Sequence, residues 1–116
     1  MKRKVVLEML EQSLTNNSEY FVAENTTTKL ETKEHIKIVQ PKNKKWTLEE
    51  LYELIDCRNI EIIELSPTKS IIIDEEAILT NKNANDFATH ILSFATKKMC
   101  YPILGNVLIV NNSSIQ

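Results

Sequence analysis

Glycine and proline are scarce in this chain, whose 116 residues include one glycine, Gly105, and three prolines. A phosphate-binding loop needs several glycines, so the nucleotide-binding motifs built on such loops are excluded. Turns must instead use Asn, Ser and Thr, whose short polar side chains bond to the neighbouring backbone. No apolar run approaches the roughly 20 residues that cross a bilayer, and we therefore expect no transmembrane helix.

Cysteines and catalytic motifs are equally few. Cys57 and Cys100 have neither metal-site spacing nor a close partner in the sequence, so we expect reduced thiols. Glu8 interrupts the apolar stretch that follows the basic start, which argues against a signal peptide and for a cytoplasmic protein. The zinc-protease, calcium-loop and nucleophile-elbow motifs are absent. These absences predict a non-enzymatic protein without a cofactor or metal.

What the chain does have is an ordinary composition with an uneven charge. A hydrophobic fraction of 42% and a charged fraction of 26% are typical of one soluble domain, which we assign to residues 1–116. Residues 46–80 carry nine acids against Arg58 and Lys69, and the sequence pI is about 5.7. A nucleic-acid binder usually concentrates positive charge, so direct nucleic-acid binding is not expected.

The clearest predicted helix starts at Thr47. Thr47 and Glu50 have the spacing of a capping box, in which each side chain accepts a hydrogen bond from the backbone N–H of the other residue. The apolar stripe of this helix is Leu48, Leu51, Tyr52 and Ile55. The opposite face carries Glu49, Glu53 and Asp56.

A second helix is predicted from Asp86 to about Lys98. Asn83 or Asn85 can cap its N-terminus, and the sequence leaves both choices open. Its expected core face is Phe87, Ile91, Phe94 and Ala95.

An N-terminal helix is predicted over residues 3–14. Its apolar face is Val6, Met9, Leu10 and Leu14. Either the parent domain or a second copy of the chain can cover that face, so a homodimer is one open expectation.

Runs of β-branched residues predict the strands. Residues 60–65 and 70–74 flank a turn in which Pro67 suits the second position of type I, so they form an antiparallel hairpin. Both faces of this hairpin carry apolar groups, and we therefore expect it to lie in the centre of the sheet. Shorter strands are predicted at 20–23, 35–39 and 106–110.

The order of elements is α-β-β-α-β-β-α-β, which predicts an α+β fold. We expect a small mixed or antiparallel sheet with two helices packed on it, plus the N-terminal helix. Without its first two elements the order matches the split β-α-β motif, which is one candidate topology. The chain then divides into an extension at 1–30, a core at 34–110 and a flexible tail at 111–116.

The strongest candidate for a binding surface is acidic. Its residues are Glu49, Glu53, Asp56, Glu61 and Glu64. Negative potential attracts surfaces rich in Lys and Arg, including those of nucleic-acid channels. A solvated face of no function has the same composition, so that alternative stays open.

Other residues that could act in catalysis or binding also have ordinary structural explanations. The acids at 74–76 could hold a cation only if further oxygens converge on them. His90 can be a general base or a core or boundary histidine with a satisfied hydrogen bond. Trp46 can stack on a ligand or pack back on Leu51 ahead of the helix cap. Cys57 follows the negative end of a helix and is a poor nucleophile.

Five segments together carry a resemblance to a known family. They read TLEELYEL, IEIIEL, IIIDEE, NDFAT and GNVLIV, at residues 47–54, 60–65, 71–76, 85–89 and 105–110. Residues 34–110 thereby resemble a family of small uncharacterised domains found in phages, plasmids and conjugative elements. The chain lacks the glycines that this family often has before the I-E-I strand and in the hairpin turn, and the Gly-Leu-Pro of its polar segment. The resemblance implies a fold and supplies no catalytic residues.

These observations predict a non-enzymatic accessory protein of a bacterial mobile element that binds a protein or a small ligand. One alternative is an inhibitor of a host defence or nucleic-acid enzyme that acts through the acidic surface. A second alternative is a ligand-binding or enzymatic domain centred on His90.

Overall fold

The computed structural model describes residues 16–25, 36–97 and 102–115. Their elements are strands β1 (Glu19–Val22), β2 (Ile36–Val39), β3 (Ile60–Glu64), β4 (Lys69–Asp74) and β5 (Val107–Asn111), helices α1 (Leu48–Ile55) and α2 (Asp86–Thr96), and a 3-10 helix (Asn112–Ser114). The five strands form one antiparallel sheet in the order β2-β1-β5-β4-β3. The predicted α+β class is confirmed. The predicted helix at 3–14 lies outside the described residues.

The two helices cover opposite faces of the sheet. Successive residues of a strand point to opposite faces. Ile71 and Ile109 lie in one core with the buried side of α2. Their neighbours Ile72 and Leu108 lie in a second core with the buried side of α1. The molecule therefore has three layers, and the central strands are apolar on both faces because each face has its own helix.

The split β-α-β topology is wrong for this chain. In that motif the strands joined through a helix run parallel with another strand between them, whereas β4 and β5, which are joined through α2, are adjacent and antiparallel. Strand β1 lies between β2 and β5 and is hydrogen-bonded to both. The predicted division into an extension at 1–30 and a separate core therefore does not describe the sheet, since part of the extension lies inside it.

The hairpin β3–β4 is not central as a whole. Strand β4 pairs on both sides, but β3 is an edge strand of the sheet. Ile62 on β3 is 48% exposed, whereas its partner Ile72 on β4 is fully buried. Glu61 and Glu64 are exposed on the same strand, and charges on an edge discourage pairing with another chain.

Asn85 is the cap of α2, which settles the choice between Asn83 and Asn85. Its Oδ1 accepts from the Ala88 N–H at 3.0 Å, and its Nδ2 donates to the carbonyls of Val22 and Gly105 at 3.0 and 2.8 Å. Asn85 is fully buried and Asn83 is exposed. One amide thus ties the start of α2 to both β1 and the approach to β5.

The predicted flexible tail is part of the folded body as far as residue 115. Asn111 completes β5, and the carbonyl of the buried Ser114 accepts from the Trp46 N–H at 2.8 Å. Ile115 packs against the core under α1. The hydrogen bond to Trp46, which precedes the N-cap Thr47, joins this segment to the start of α1.

Candidate functional site

The outer face of α1 carries a row of exposed carboxylates, named here the acidic row. Its members are Glu49, Glu53 and Asp56. The predicted capping box starts the helix: Thr47 Oγ1 accepts from the Glu50 N–H at 3.1 Å, and Glu50 Oε1 accepts from the Thr47 N–H at 3.0 Å. Burial of Leu51 and Ile55 fixes the rotation of the helix, so the acidic row faces solvent.

Within the described residues, no carboxylate of the acidic row forms an ion pair. The ion pair found within the described residues joins Lys82 to Asp74, and no member of the row takes part in it. Glu49 and Glu53 stand one helical turn apart, where like charges repel each other. The row therefore contributes negative potential on this side of the molecule.

Lys82 closes the end of α1. Asp56 is the C-cap, with a left-handed backbone at φ 59°, and the Cys57 N–H bonds to the Tyr52 carbonyl at 3.0 Å. The Lys82 ammonium donates to the Ile55 carbonyl at 3.2 Å and also to the Asp56 carbonyl. A cation suits this position because the C-terminus of a helix carries partial negative charge.

A groove of about 470 Å³ opens beside this end of α1. Its charged lining consists of Glu24, Asp56, Asp74, Glu76, Arg58 and Lys82. Asp74 is buried and paired with Lys82 at 2.8 Å. The remaining charges are the carboxylates of Glu24, Asp56 and Glu76 and the guanidinium of Arg58. The groove therefore extends the negative potential of the acidic row around the end of the helix.

Two of the groove carboxylates are held in place by hydrogen bonds. Glu24 Oε2 accepts from the Asn83 N–H at 2.8 Å, and Glu76 Oε1 accepts from Asn59 Nδ2 at 2.6 Å. Among the described residues, no buried side-chain nitrogen or oxygen lacks a hydrogen-bond partner. The groove is therefore a formed, polar surface feature without the orphaned polar atom that a missing ligand would leave.

Cys57 lies in the groove but is not an activated thiol. Partial burial, followed by the nearby Asp74 carboxylate, raises the pKa of the thiol above its ordinary value, and the Lys82 ammonium offsets only part of this effect. The thiolate is the nucleophilic form of cysteine. Cys57 is therefore protonated at neutral pH, in agreement with the sequence-based expectation of a poor nucleophile.

The five predicted acidic residues do not form one surface. Glu61 pairs with Ile73, whereas Glu64 pairs with Ser70 on the same strand. Since these two positions are three residues apart, their side chains point to opposite faces of β3. Glu64 lies on the side of α1, but Glu61 points to the side of α2. The structure groups the acidic row with the groove instead of with Glu61.

Trp46 and His90 are two candidates that do not line the groove. Trp46 is buried in the same core as Leu51, which is the packing that the sequence allowed as the alternative to ligand stacking. His90 is neither a core nor a boundary residue: it is exposed on α2 and does not line the groove. The buried face of α2 uses Ala88 and Leu92 where the sequence predicted Phe94, and this rotation turns His90 outward.

No metal-binding cluster is present in the part of the chain that the structure describes. Groups of three or more His, Cys, Asp or Glu side chains placed to hold an ion are not found there. The acids at 74–76 point in different directions, because Asp74 is buried while Glu75 is exposed. The described helices are also too short or too polar to cross a membrane.

Lys82 and Glu24 are residues of the candidate site that the sequence did not reveal. Glu24 follows β1, 59 positions before its partner Asn83. Lys82 reaches the groove only because its stem passes over Gly105, where an added Cβ would lie 2.8 Å from the Lys82 Cδ atom. A glycine at this crossing was the one available signal, since Gly105 is the sole glycine of the sequence.

Comparisons with protein-family models, curated proteins and solved structures found no match to this chain. The resemblance to the phage and plasmid domain family therefore stays a prediction from the sequence.

Proposed function

We propose that this protein is a non-enzymatic binding protein whose acidic row and groove together bind a basic surface of another protein. The observation that carries the proposal is the exposed acidic row, which has no ion pair with a described Lys or Arg. Such a row attracts a positive partner and speeds its association. The protonated Cys57 and the outward His90 support a binding role over a catalytic one.

Inhibition of a nucleic-acid enzyme is the second candidate, and the same carboxylates support it. Glu49 and Glu53, the two members of the acidic row that lie within α1, are about 6 Å apart along the helix axis, from the rise of 1.5 Å per residue. A DNA duplex carries about 3.5 phosphates over that length, which is nearly twice the number of carboxylates that α1 places there. This lower charge density favours a basic protein surface over a channel built for nucleic acid.

The biological setting of the proposal comes from the sequence. The resemblance supports an accessory role in a bacterial phage or plasmid, and the free thiol of Cys57 suits the reducing cytoplasm. A small ligand in the groove is a weaker reading, because the buried polar atoms around it already have partners.

A pair of matched charge reversals tests the proposal. Glu49→Lys/Glu53→Lys reverses two members of the acidic row and leaves the left-handed Asp56 untouched. Glu61→Lys/Glu64→Lys makes the same change in net charge on the edge strand. Tagged forms of both variants and of the parent protein are used for affinity capture from lysate, with quantitative mass spectrometry of the recovered proteins.

We expect the parent and the edge-strand variant to recover the same basic protein at low salt, and the acidic-row variant to lose it. High salt should release the partner, because surface charge attraction is screened. Equal loss in both variants would show a net-charge effect and contradict the proposal. Equal recovery of the partner by both variants would also contradict the proposal.

A further inference from the structure

Two large aliphatic side chains lie next to each other in the middle of a turn. Ile78 and Leu79, named here the apolar tip, are 81% and 80% exposed. No other large apolar side chain in the described residues exceeds 66%. A single exposed aliphatic needs no explanation, whereas contiguous apolar surface with a polar rim is typical of interaction sites.

The turn that carries the apolar tip, residues 75–81, is firmly built. The Glu76 N–H bonds to Asp74 Oδ1 at 2.8 Å, and the Thr80 N–H bonds to the Glu76 carbonyl at 3.1 Å. Ala77 is buried, and its carbonyl accepts from the Lys82 N–H at 3.1 Å. The backbone that carries the tip is therefore held by hydrogen bonds, which lowers the entropy that binding must overcome.

The same turn forms one wall of the groove. Glu76, Thr80 and Asn81 line the groove from this turn, and Glu75 is exposed at its start. The apolar tip is thus bordered by carboxylates on the side where the acidic row ends. An apolar centre with a charged rim is the usual anatomy of a protein–protein contact.

We propose that the apolar tip inserts into an apolar pocket of the partner protein, and that Lys or Arg side chains at the rim of that pocket lie against the groove. This inference rests on the proposed function and deepens it by stating the shape and chemistry of the partner surface. Charge complementarity selects this occupant. An anionic membrane would be repelled by Glu75 and Glu76, and a symmetric second copy would bring the same acids together.

The test uses a probe of defined composition, a phage-displayed library of random peptides cyclised by a disulfide. Peptides selected on the parent protein are sequenced, and their affinities are measured for three variants. Ile78→Ser/Leu79→Ser removes the apolar tip. Ile38→Ser/Leu48→Ser removes two exposed aliphatics elsewhere and is the matched control. Glu49→Lys/Glu53→Lys reports on the acidic row. Circular dichroism confirms that each variant is folded.

We expect the selected peptides to combine aromatic or aliphatic residues with Lys or Arg. Their affinity should fall by about tenfold or more when the tip is removed, as for an anchor residue at an interface, and stay unchanged in the control. Cationic peptides that bind the tip variant as tightly as the parent, yet lose affinity when the acidic row is reversed, would overturn this inference and leave the proposed function standing. Selection of no peptides, or of acidic ones, would overturn both.

Discussion

Lys82 shows how one side chain can join separate parts of the fold. Its ammonium contacts the Asp74 carboxylate at the end of β4 and the last carbonyls of α1, while its stem crosses Gly105 before β5. Gly105 has φ +82°, a conformation that side chains with a Cβ rarely adopt. A side chain at position 105 is therefore disfavoured twice, by the backbone conformation and by the Lys82 stem that fills the space.

Lys82→Met should destabilise the protein by about 3 kcal/mol, because it leaves the buried Asp74 carboxylate without its cation. Adding Asp74→Asn in the same chain should restore part of the loss, since no uncompensated charge then remains. Urea denaturation measures both changes, with the exposed Lys97→Met as a control that stays near the parent. A full loss that persists in the double variant would show that the helix carbonyls matter more than Asp74.

At the scale of the element, the helix caps are where sequence and structure agree most closely. The Thr47–Glu50 capping box and an asparagine cap for α2 are local signals, since a cap is decided by residues three positions apart. The local sequence does not decide whether Asn83 or Asn85 is the cap. The choice depends on the carbonyls of Val22 and Gly105, which only the folded sheet brings to Asn85.

Asn85→Ala should destabilise the protein by about 3 kcal/mol. The substitution removes one cap and leaves two buried carbonyls unsatisfied, each of which costs on the order of 1 kcal/mol or more. Asn83→Ala is the matched control, because Asn83 is exposed and binds Glu24 through its backbone. Thermal denaturation of the two variants compares them directly, and similar melting temperatures would contradict the assignment of the cap.

Strand order shows what the sequence could not supply. The strands themselves follow from β-branched runs, but which strands become neighbours depends on long-range pairing. The apolar residues on both faces of the hairpin predicted a central position in the sheet for both β3 and β4. Their cause is a helix on each face, and only β4 is central. The acidic row was predictable because helical spacing alone places it, whereas the groove needs the fold.

At the scale of the whole molecule, the carboxylates of the acidic row that would attract a basic partner also lower the stability of the fold, because they repel each other. Glu53→Lys replaces a repulsive pair at the spacing of one helical turn with an attractive one, and each such pair contributes about 0.2–0.5 kcal/mol. We expect the variant to unfold at higher urea concentration than the parent and to bind the basic partner more weakly. A gain in stability without loss of binding would identify the row as an ordinary solvated face.

The position of β5 has a consequence for the synthesis of the protein. Strand β5 follows the other four strands in the chain yet lies between β1 and β4, with partners on both sides. While β5 is still in the ribosome, β1–β2 and β3–β4 can form only as two separate hairpins, each with an open edge. The sheet closes when β5 emerges, so a ribosome that stalls just before β5 would hold two aggregation-prone halves.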